Sequence, residues 1–202
     1  MEILGKLFGS ESRVKILRLF LFNPEQAFCA SDIAEKSRTN LYTVKHEIKT
    51  LRKIGFINPK PSRKIKEKGL FLNVRFPYLS QIRNLLLGVV LMSDEDIYKR
   101  FSGAGKLKVV IAAGVFIQDI ESRLDLLIAG ENIKKHVIDN AVKNLEAEIG
   151  KELAYAAFEM SELNYRVSMY DRLLRDVMEN PHRTLLDKAV FERKFLDITA
   201  KK

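Results

Sequence analysis

The sequence predicts an α+β fold in two parts: a helical segment closed by a hairpin, then a small α/β layer built on a mixed sheet. Three observations point there. Positive charge is confined to one end, since residues 1–80 hold 16 Lys and Arg against 7 Asp and Glu, whereas residues 81–202 hold 19 of each. Apolar residues recur at helical spacing up to Gly55 and give way to a Pro- and Lys-rich stretch between two extended runs. Further on, "VVIAAGVFIQDIESRLDLLIAG", Val109 to Gly130, reads as two buried strands joined by a short polar turn.

In "SESRVKILRLFLF", Ser10 is placed to cap a helix whose apolar face holds Val14, Ile16, Leu17, Leu19, Phe20, Leu21 and Phe22. Arg13, Lys15 and Arg18 are expected on the opposite side, and Asn23-Pro24 ends the helix. A second helix lies in "CASDIAEKS", with Ser31 as its cap and Ile33 and Ala34 inward. A third follows in "NLYTVKHEIKTLRKIG", where Leu41, Val44, Ile48 and Leu51 make an apolar stripe and Gly55 closes the helix. Phe56–Asn58 and Leu70–Phe76 then read as extended, on either side of Pro59, Pro61 and a run carrying Lys60, Arg63, Lys64, Lys66 and Lys68 with one acid, Glu67.

Three helices followed by a basic-tipped hairpin is the plan of a winged helix-turn-helix. "TVKHEIKTLRKIGFI" resembles the recognition-helix region of small prokaryotic winged-helix regulators of the ArsR/MarR kind, the likeness covering roughly residues 8–77. Confined positive charge suits a polyanion, so the expected partner is double-stranded DNA. With the stripe inward, Asn40, Tyr42, Thr43 and His46 are placed to meet base edges, and Tyr42 and Thr43 also thymine methyls. Lys45, Lys49, Arg52 and Lys53 suit phosphates, as do Arg63, Lys64, Lys66 and Lys68 at the hairpin tip. Each has a plainer alternative: Tyr42 packed on Phe28, His46 as an ordinary surface histidine, and the basic run as a solvated loop.

The second part opens on connecting helices. Leu79, Ile82, Leu85, Leu86 and Val89 form one stripe, and Ser93 caps a short helix with Asp94, Glu95 and Asp96 in its first turn. "SGAGK" is not a P-loop, because Arg100 and Leu107 stand where that motif needs Gly and Ser or Thr. The expected order is strand 108–116, strand 123–129, helix 131–149 with Ile133, Val137, Val142, Leu145 and Ile149 inward, strand 153–159 and helix 163–179. "AGVFIQDIESRLDLLIAG" resembles the core of minimal nucleotidyltransferase domains, which carry Gly-Ser after a first strand, Asp-x-Asp opening a second and a third acid later. Gly114 and Asp125 match that pattern. Val115 replaces the serine, Arg123 the first metal-binding acid, and Ala154 falls at the third acid. Two-metal chemistry needs several converging carboxylates, so the resemblance implies a degenerate site at Gly114, Arg123 and Asp125, with Arg123 pairing Asp125 from the same strand face. Asp119 and Glu121 are the nearby acids that could substitute.

No other catalytic or metal-binding set stands out. His46, His136 and His182 are dispersed, and Cys29 is the only cysteine, which points to a reducing compartment. The longest apolar run, Val109–Ile117, is far short of the roughly 20 residues of a membrane span, and the N-terminus lacks the plan of a leader. The expectation is therefore a cytoplasmic, non-enzymatic transcriptional regulator without cofactor, metal or membrane partner. Residues 1–78 form a winged-helix domain, 79–104 a helical linker and 105–202 a nucleotidyltransferase-like domain for dimerisation or small-molecule sensing, the protein being a homodimer. The alternative is an active nucleotidyltransferase holding nucleic acid with its basic half.

Overall fold

The computed structural model describes residues 2–60, 69–87, 92–119 and 122–199. They form an α+β structure with ten α-helices, a two-stranded antiparallel sheet and a mixed four-stranded sheet. The chain divides into two compact units, Met1–Val89 with Lys143–Glu152, and Val90–Val142 with Leu153–Lys202.

In the first unit, α1 (Glu2–Phe8) and α2 (Glu11–Phe22) are followed by α3 (Ala30–Ser37) and α4 (Leu41–Lys53). Then come β1 (Ile57–Lys60), β2 (Gly69–Leu72) and α5 (Leu79–Leu87). Ser10 caps α2 by accepting from the Arg13 N–H at 3.1 Å. The helix is central, with Val14, Ile16, Leu17, Leu19, Phe20 and Leu21 all buried. A helix covered on nearly every side has no outer face for Arg18, which is 3% exposed instead of facing water as its spacing suggested. Its guanidinium donates to the carbonyls of Leu86 at 3.2 Å and Glu148 at 3.0 Å. Desolvation lowers its pKa and the Glu148 carboxylate opposes that shift.

Helix α3 starts two residues earlier than expected. Cys29, not Ser31, is its N-cap, because the Asp32 carboxylate accepts from the Cys29 N–H at 2.8 Å. Helix α4 closes at Gly55 (φ +77°), with the Gly55 N–H on the Arg52 carbonyl and the Phe56 N–H on that of Leu51, the two bonds of a Schellman end. Strands β1 and β2 pair antiparallel from Ile57↔Leu72 to Lys60↔Gly69, and Phe28 bridges to Leu70.

In the second unit, α6 (Asp94–Arg100) leads through a glycine turn into β3 (Lys106–Ala112). Next come a 3-10 turn (Gly114–Ile117), β4 (Leu126–Glu131), α7 (Lys135–Ile149) and β5 (Tyr155–Glu159). Helices α8 (Met160–Ser168) and α9 (Arg172–Glu179), strand β6 (Arg183–Asp187) and α10 (Phe191–Thr199) complete the order. The sheet runs β5-β4-β3-β6, with β4 and β5 parallel and the other pairs antiparallel. Val109, Ile111, Leu127 and Ala129 share a core with Leu163, Leu174, Phe191 and Phe195. Val110, Ala112, Leu126 and Ile128 are buried as well.

Several boundaries differ from the sequence reading. β3 stops at Ala112 because Gly114 (φ +52°) turns the chain. α7 begins at Lys135, after Asn132 (φ +55°), with the Glu159 carboxylate taking the N–H groups of Asn132 and Ile133. The single helix expected over 163–179 is two. Tyr170 (φ +54°) breaks it and Asp171 recaps it, accepting from Leu173 N–H and Leu174 N–H. Strand β6 and helix α10 carried no expectation. Among the described residues, no helix is long and apolar enough to cross a membrane.

Candidate nucleic-acid interface

Helix α4 begins at Asn40, whose carboxamide oxygen accepts from the Thr43 N–H at 2.8 Å. That oxygen is committed to the cap, so what Asn40 can offer a base is its amide nitrogen. Val44, Glu47 and Leu51 form the buried face. This is the expected stripe rotated: Leu41 is 43% exposed, Ile48 half-buried, and Glu47, which was not part of the stripe, is buried with Val44 and Leu51. The cause is Arg13, whose Nε lies 2.8 Å from the Glu47 carboxylate while its Nη1 donates to the Phe8 carbonyl. A buried acid is tolerated when so paired, and it brings the inner face of α4 round toward α2.

The outer face follows. Tyr42 is 85% exposed, which removes the alternative of packing on Phe28; that ring instead meets Phe20 edge-on at 5.5 Å. Lys45, His46, Lys49, Arg52 and Lys53 are exposed, and Thr43 is half-buried. The sole acid of α4 is the buried Glu47, so this face is cationic without an opposing carboxylate. Between α4 and β1 lies a groove of about 460 Å³ edged by Lys45, Lys49, Arg52 and Lys53, with Ile48, Ile57 and Pro59 among its lining and, among the described residues, no carboxylate. The remaining expected contacts, Arg63, Lys64, Lys66 and Lys68, lie outside the described residues.

The second expected site has a different geometry from the one its spacing suggested. Asp125 is 4% exposed and turned inward. One carboxylate oxygen accepts from the Val115 N–H at 2.8 Å and the other from the Ala154 N–H at 2.9 Å. Its own N–H reaches the Ala154 carbonyl, and its carbonyl takes the Ala113 N–H. A Cβ on Gly114 would stand 2.2 Å from the carboxylate, so the glycine leaves room for Asp125. Arg123 precedes β4, where the same-face rule for strand residues does not hold. Its side chain is 54% exposed, with Nε 3.8 Å from Asp176, which replaces the expected pairing with Asp125. Asp119 is held in the turn by its N–H on the Gly114 carbonyl, and Glu121 lies outside the described residues.

Sequence reasoning missed the pairing of Arg13 with a buried Glu47 and the exposure of Leu41. A signal existed: Val44, Glu47 and Leu51 are spaced 3 and 4, as good a helical face as the all-apolar stripe once a cation on α2 supplies the partner. Compared with protein-family models, curated proteins and solved structures, the chain matches none.

Proposed function

We propose that the protein is a DNA-binding transcriptional regulator whose first unit acts as a winged helix-turn-helix, with α4 as recognition helix and β1–β2 as the wing. One observation carries the reading: the outer face of α4 is exposed, cationic and free of acids, and borders a groove against β1 whose described lining holds no carboxylate. Duplex DNA fits that face, since phosphates flank a groove whose floor offers donors, acceptors and methyls. Lys45, Lys49, Arg52 and Lys53 take phosphates; Tyr42, Thr43, His46 and the Asn40 amide face bases.

The second unit is proposed as a nucleotidyltransferase-like domain without catalysis, used by a cytoplasmic homodimer for association or effector sensing. The turn at Gly114, Asp125 at the mouth of β4 and the parallel β5 support the likeness. Both Asp125 oxygens engage backbone N–H groups, one of them from Ala154 at the third acid's position, which supports a role in folding over metal binding.

The test is fluorescence anisotropy of the full chain on labelled duplexes across a salt series. With about 6 phosphate contacts, log K falls against log salt with a slope of about −5. Salt-independent binding, or none, overturns the proposal. Sequencing of genomic fragments captured by the full chain separates a site-specific regulator from a general binder.

A further inference from the structure

We infer that the tip of α4 selects thymine, with Leu41 and Tyr42 as specificity-determining residues that meet C5-methyl groups; the inference rests on the DNA-binding reading above. Leu41 and Tyr42 are the first two residues of α4, 43% and 85% exposed. A leucine has no donor or acceptor, and the favourable apolar contact a base edge offers in the major groove is the thymine methyl. Asn40 sharpens this, because its carboxamide oxygen is spent on the Thr43 N–H and does not compete for a base donor at the tip.

Charge complementarity fixes the occupant. The apolar tip is followed along α4 by Lys45, Lys49, Arg52 and Lys53, and the helix's single acid is buried on Arg13. At a rise of about 1.5 Å per residue, Lys49 stands about 12 Å along the axis from Leu41, comparable with the roughly 12 Å width of the major groove. A helix entering tip first puts its apolar end at the base edges and its cations at the phosphate rim. An apolar protein surface would satisfy Leu41 and Tyr42 but leave the cations without counter-charges.

The experiment starts from a duplex selected by the full chain from a random-sequence pool. That duplex is then remade with deoxyuridine at each thymidine in turn, which deletes one methyl and keeps the pairing. Binding by anisotropy is expected to weaken about fourfold at one or two positions, the equivalent of one buried methyl, and to be unchanged elsewhere. Leu41→Ala and Tyr42→Ala are expected to melt like the parent, to bind the thymine duplex about fourfold more weakly, and each to become indifferent to uracil at one of those positions. A selected site without a required thymine, or one bound equally well with uracil throughout, overturns the inference while leaving the DNA reading intact. Variants that stay as uracil-sensitive as the parent assign the methyl contact to other residues and overturn it too. Absence of binding to every duplex overturns the DNA reading beneath it.

Discussion

Gly114 and Asp125 are one structural unit. The glycine holds φ +52° and its missing Cβ is the space the Asp125 carboxylate occupies. Gly114→Ala therefore introduces both backbone strain and a collision with a buried charged group. We expect it to destabilise the chain by about 1–3 kcal/mol in urea unfolding. Asp125→Ala alone leaves the N–H groups of Val115 and Ala154 without their acceptor, at a cost of about 1–3 kcal/mol. Because the collision disappears with the carboxylate, the double variant should lose less than the sum of the two. Strict additivity would show that the two residues act separately. The pairing of a glycine with a later lone acid is legible in the sequence, but the direction of the acid is not. It is set by backbone N–H groups 10 and 29 positions away, and neither leaves a mark in local composition.

At the scale of elements, legibility follows how local the decisive interaction is. Helix α2 with its Ser10 cap, the Gly55 end of α4 and the Ser93 cap of α6 are fixed by neighbours in sequence, and the periodic pattern places them. The face of α4 depends on Arg13, 34 residues distant, and there the pattern of apolar residues alone misplaces Leu41. The break between α8 and α9 is local, yet hidden by good helix formers on both sides; Asp171 decides it by capping two N–H groups. Strand β6 is half-buried at every position, so no alternation distinguishes it. Glu47→Ala removes the acceptor of the Arg13 Nε and loosens α4 from α2, with a loss of about 1–3 kcal/mol by urea unfolding. Glu47→Gln, whose carboxamide oxygen can still accept from Arg13, should lose less. Under the proposed function both variants weaken duplex binding in the same order, whereas equal stability of all three proteins would remove Arg13 as the cause of the helix's seating.

For the molecule as a whole, the charge boundary was visible because charge is additive along the chain. The composition of the first compact unit was not. Its residues 143–152 return from far along the sequence, with Arg18 donating to the Glu148 carbonyl across 130 positions and Asn23 to that of Gly150 across 127. Gly150 permits this approach, since a Cβ there would lie 2.5 Å from the α2 backbone at Arg18 and Leu19. A fragment ending at residue 89 keeps every cation proposed to meet DNA but loses these acceptors, leaving the buried Arg18 guanidinium without the Glu148 carbonyl. Each lost hydrogen bond to a charged group is worth about 1.5–3 kcal/mol. The fragment should therefore unfold at clearly lower urea than the first unit does within the full chain. Gly150→Ala in the full chain should reproduce part of that loss by forcing the two backbones apart. At low temperature, where the fragment is still folded, its salt slope on duplex DNA should match that of the full chain, because residues 81–202 add no net charge. A fragment as stable as the parent would show that residues 143–152 are dispensable to the first unit; a markedly shallower salt slope would place part of the phosphate contact in the second half of the chain.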